Sequence, residues 1–109
     1  MDWTSLDLLR AHAVESIQFS PSQLRQVLSA YSEGVLRKGW KDYAILSATG
    51  QTQFAVVERG AGDQPRILFS IARISQPKKP ATYKVFEGEK PVLQTGSFLE
   101  ALTRFRHLG

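Results

Sequence analysis

Apolar residues recur at Leu24, Val27, Leu28, Tyr31 and Val35, the three-and-four spacing of one helix face. The flanking residues agree. Ser20 suits the cap, Pro21 the first helical position, and Gln23 closes a capping box. Phe19 stands where a hydrophobic staple to Leu24 forms. Arg37 and Lys38 suit the negative end of the helix dipole, and Gly39 is the expected stop. A second helix is predicted from Ser97, with Glu100 three residues on as another capping box. It places Phe98, Leu102 and Phe105 on one stripe with Leu99 beside them.

Between these helices the period shortens to two. Strands are expected over 42–48, 52–58, 66–74, 82–86 and 91–95. Thr49-Gly50-Gln51 and Glu87-Gly88-Glu89-Lys90 read as tight turns, and Gly60 through Pro65 as a looser one. Pro77-Lys78-Lys79-Pro80 interrupts the third and fourth strands, because prolines remove ladder donors. Hairpin-length connections make sequential strands pair. The expected fold is therefore α+β: a four- to five-stranded antiparallel meander flanked by an N-terminal and a C-terminal helix. Residues 1–18 read as an arm before one domain over 19–109. In the arm, Leu6 and Leu9 share a side of a short helix, and Ile17 and Phe19 alternate as in a short strand.

The alternation is not clean. One parity carries Tyr43, Ile45, Phe54, Val56, Ile67, Phe69 and Ile71; the other carries Ala44, Leu46, Ala55, Val57, Leu68, Ala72 and Ile74. A sheet with one wet face alternates apolar with polar. Either one helix covers each face, or both pack on the large-residue face and the other meets a partner, most simply a second copy. A homodimer is expected.

Composition narrows the chemistry. The chain has 109 residues, 42% of them hydrophobic, and no cysteine, which excludes a disulfide framework and thiol catalysis. The first residues resemble no signal peptide, and no apolar run is long enough to span a membrane; a cytoplasmic location is expected. His12 and His107 form no ligand set. No serine sits in a nucleophile-elbow motif. Gly60-Ala61-Gly62 is followed by no helix and so fails as a phosphate loop. Glu87 and Glu89 sit in a solvated turn, a poor acid–base pair. We expect no enzyme activity and no cofactor.

Charge is uneven. Residues 1–36 hold Arg10 and Arg25 against Asp2, Asp7, Glu15 and Glu33, whereas 37–109 hold 12 basic and 6 acidic residues. The stretch "PRILFSIARISQPKKPATYK" (65–84) contains five basic residues and no acid. Arg66, Arg73, Lys78, Lys79 and Lys84 with Tyr83 form a candidate single-stranded nucleic-acid surface, cations interleaved with an aromatic. The competing reading is structural: prolines stop the strands, lysines keep the tip soluble, and Tyr83 alternates with Val85 into the core. Trp3 and Trp40 are candidate partner anchors; Trp40 alternatively closes the core at the helix–strand corner. The function expected is a small non-catalytic module binding single-stranded nucleic acid through the basic hairpin. The alternative is a protein-interaction or dimerising adaptor.

From Phe19 to Phe105 the chain resembles a family of short alphaproteobacterial proteins known only as a domain of unknown function. "FSPSQLRQVLSAY" (19–31), "GWKDYAI" (39–45), "FAVVER" (54–59), the isoleucine and proline of "ISQPKKP", "YKV" (83–85) and "GSFLEALTRF" (96–105) carry the likeness. The loop at 59–65 departs from the family pattern. The resemblance implies no reaction, ligand or catalytic residue. Separately, four strands followed by a helix is the order seen in single-stranded nucleic-acid binders of the Whirly, Pur and transcriptional-coactivator type, which dimerise. That likeness is one of order and charge alone.

Overall fold

Ser20 starts the first helix through the reciprocal bonds its sequence predicts. Its Oγ accepts from the Gln23 N–H, and the Gln23 Oε1 accepts from the Ser20 N–H, both at 3.1 Å. In the computed structural model, which describes residues 17–59 and 64–109, this helix, α1, spans Pro21–Lys38. It ends at Gly39, whose φ of 74° is the left-handed conformation that favours glycine. Five strands follow: β1 (Asp42–Ala48), β2 (Gln51–Arg59), β3 (Pro65–Gln76), β4 (Lys79–Glu87) and β5 (Lys90–Thr95). The second helix, α2 (Phe98–Arg106), closes the order. The strands form one antiparallel meander, β1-β2-β3-β4-β5. The α+β architecture is the one the hydrophobic pattern predicts.

Both helices lie on the large-residue face. Val27 and Ala30 of α1 and Ala101, Leu102 and Phe105 of α2 share one core with Phe54, Val56, Ile71, Tyr83 and Val85. The second face is built from smaller side chains. Ala55, Ser70 and Ala72 are buried there although they stand outside that core.

The two helices run parallel. Phe19, just before α1, meets Phe98 at the start of α2, ring centroids 6.3 Å apart. At the other end Arg106 of α2 donates twice to the Glu33 carboxylate, at 2.9 and 3.0 Å. The Lys38 ammonium donates to the Arg106 and Leu108 carbonyls, each at 2.6 Å. Both N-termini therefore face the β3–β4 hairpin end; Glu100 answers the positive pole of α2, whereas the first turn of α1 holds no acid.

Three expectations are corrected. The third and fourth strands reach further toward their turn than predicted, leaving only Pro77 and Lys78 between them. Pro80 is tolerated inside β4 because the register shifts there, between Ile74↔Thr82 and Gln76↔Lys79, so no regular ladder donor is lost. The second capping box is half-formed. The Ser97 Oγ accepts from the Glu100 N–H at 3.2 Å, but the Glu100 carboxylate takes the Thr95 hydroxyl, and the Ser97 N–H goes to that hydroxyl instead. No strand forms at Ile17–Phe19: the Gln18 N–H donates to the Thr52 side chain, and Phe19 turns into the core. The rest of the predicted arm, including Trp3 and His12, and the Gly60–Asp63 part of the loose turn lie outside the described residues.

Candidate functional site

The register sorts the helix-facing side of the sheet into rows. Ile45, Phe54, Ile71, Val85 and Leu93 align across all five strands, an apolar row. The next row toward the hairpin end is Ser47, Thr52, Arg73, Tyr83 and Thr95. Every member is a hydroxyl or a cation. The start of α1 lies beside this polar row: the Gln18 N–H donates to the Thr52 Oγ1 at 2.7 Å, and Gln23 reaches both Arg73 and Tyr83.

Gln23 is the hub. Its Oε1 accepts from the Arg73 guanidinium at 2.7 Å as well as from the Ser20 N–H, and its Nε2 donates to the Tyr83 hydroxyl at 2.9 Å. The Arg73 guanidinium stands 5.9 Å from the Tyr83 ring centroid. Its neighbours in this row are all neutral, and no carboxylate among the described residues pairs with it. The Arg73 Nε is buried without a hydrogen-bond partner. The first turn of α1 holds no acid. Arg73 thus sets a cation beside the positive pole of α1, an arrangement that a nearby anion would stabilise.

The predicted surface residues separate in space. Arg73 and Tyr83 share the polar row, and Tyr83 is 5% exposed, an edge-on neighbour of Phe98 with its hydroxyl engaged. No base reaches that ring to stack. Lys78 and Lys79 are exposed at the same end, Lys78 with a φ of 62°. Lys79 pairs with Gln76, three residues or about 10 Å along the sheet from Arg73. Lys84 pairs with Ala72 and Gln94 and belongs to the second face. Arg66 lies seven residues, roughly 23 Å, from Arg73 in the opposite direction. Its guanidinium is 2.5 Å from the Glu58 carboxylate.

Trp40 is core. It is 5% exposed and packs on Phe69, Phe105 and Tyr31 at centroid distances of 5.9, 5.6 and 6.2 Å. Those contacts remove it from the surface a partner would meet.

Thr52, Ser47 and Thr95 were not singled out by sequence reasoning, and Gln23 only as a capping residue. Thr52 carried a signal, being polar at the parity of Phe54 and Val56. Gln23 carried none beyond its cap, because its other partners lie 50 and 60 residues away.

Among the described residues no three His, Asp or Glu side chains are grouped to hold a metal, and no helix is long and apolar enough to cross a membrane. Comparison with protein-family models, curated proteins and solved structures finds no match to this chain.

Proposed function

We propose that this chain is a non-catalytic module that binds single-stranded nucleic acid through its phosphates, at the end where the helix N-termini, Arg73 and the hairpin lysines meet. The observation that carries the reading is Arg73: a guanidinium with no carboxylate partner among the described residues, beside an acid-free helix start. Lys78 and Lys79 extend the positive field outward from it. Tyr83 acts as a support for Arg73 and not as a stacking platform. Recognition is then by backbone charge, with little preference among sequences. The test is fluorescence anisotropy with a labelled single-stranded oligonucleotide. Three phosphate contacts give roughly a twentyfold loss of affinity between about 50 mM and about 200 mM salt. The double variant Lys78→Glu/Lys79→Glu weakens binding to every sequence alike. Absence of binding at low salt, or binding indifferent to salt, rejects the reading.

A second reading, the protein-interaction or dimerising adaptor, is favoured by the exposed apolar side chains Val35, Leu36, Tyr43 and Leu46, which lie on α1 and on the outermost strand β1. A strict monomer in sedimentation equilibrium counts against it.

A further inference from the structure

The meander leaves two edge strands, and they are treated differently. β5 opens with Lys90 and Pro91, and the register shift between Val85↔Leu93 and Phe86↔Pro91 leaves Val92 unpaired. Charge, proline and bulge are the three devices that blunt an edge. β1 has neither proline nor bulge, and its one charge, Asp42, stands at its first residue. Its register with β2 is unbroken from Asp42 to Ala48, and Tyr43 through Ala48 contains neither charge nor proline. Tyr43 and Leu46 are each 37% exposed.

The direction of the outward main-chain groups is fixed by one bond. The Tyr43 N–H donates to its neighbour's Asp42 Oδ1 at 2.9 Å, so it points away from β2. Antiparallel alternation then turns the N–H and C=O of Ile45 and Ser47 outward as well. A two-fold axis through Ile45 brings a second β1 into register with these groups. Ile45 meets Ile45 and Tyr43 meets Ser47 as hydrogen-bonded pairs, while Ala44 meets Leu46 as the closer, non-hydrogen-bonded pair. Each unlike pair sets a large side chain against a small one, and Asp42 meets Ala48, so no like charges oppose.

We propose that β1 pairs with β1 of a second copy, joining the two meanders into one ten-stranded sheet. This rests on the adaptor reading and names its partner and its surface. The contact is isologous, and the blunted β5 stops it from propagating. The experiment uses the full chain. Sedimentation equilibrium is expected to give a species of about twice the 12.2 kDa chain mass. Because the chain has no cysteine, Ala44→Cys and Leu46→Cys each introduce a single thiol. Non-hydrogen-bonded partners lie within disulfide reach. An oxidised equal mixture of the two variants forms covalent dimer, and either variant alone forms much less. A dimer whose cross-linking is no greater in the mixture overturns the β1 contact while leaving the adaptor reading in place. A monomer at all concentrations overturns both.

Discussion

At Gly34 a single hydrogen atom decides how the first helix meets the sheet. Trp40 lies so close that a Cβ built on Gly34 would stand 2.0 Å from its ring. Gly34→Ala gains about 1 kcal/mol of helix propensity. Overpacking costs about 1–3 kcal/mol and moves the indole out of its contacts with Phe69 and Phe105. The net expected in urea denaturation is a loss of stability, with a change in tryptophan fluorescence. One turn earlier, burial first, then the Asp42 charge and Tyr43, raise the Tyr31 hydroxyl above its ordinary value near 10.0. The folded state holds that proton more tightly than the unfolded chain. Its stabilisation is thus complete below about pH 10 and disappears as pH climbs through the folded value. Between about pH 9 and about pH 11 the melting temperature of Tyr31→Phe is expected to fall less than that of the wild type.

The start of α1 is an element tied to the sheet by one side chain. Removing the cap with Ser20→Ala is expected to cost about 1 kcal/mol. Gln23→Ala removes half of the box and also strands the Arg73 and Tyr83 partners, so about 2–3 kcal/mol is expected. A double-mutant cycle with Tyr83→Phe checks the difference: coupling between Gln23 and Tyr83 shows that the link reaches the sheet. The elements themselves were legible beforehand. Ser20, Pro21, Gln23 and Gly39 mark the helix by local chemistry, and Gly50 and Gly88 mark two turns by left-handed backbone. What stayed hidden was long-range. Arg66 and Arg73 look alike along the chain, and only register and helix placement send one to an ion pair with Glu58 and the other beneath α1. Glu100 looked like a box residue because nothing local announces that the Thr95 hydroxyl competes for it.

For the molecule as a whole, the parallel helices make the two ends electrically unequal. The cations at the helix C-termini answer negative poles: Lys38 caps two carbonyls, and Arg106 is held by Glu33. Among the described residues the hairpin end has no such compensation beside α1. Arg66→Glu is therefore expected to leave oligonucleotide affinity nearly unchanged, within about twofold after allowance for net charge, where the hairpin double variant does not. Equal losses from both would reduce the site to a diffuse field. The way α2 completes the core also bears on synthesis. Ala101, Leu102, Phe105 and Leu108 are all buried, and Phe105 touches Trp40 and Phe54, laid down some fifty to sixty-five residues before it. Until α2 has left the ribosome, the emerged meander has one of its two helices and a greasy trough where the other belongs, and its core closes only once Leu108 is clear of the tunnel.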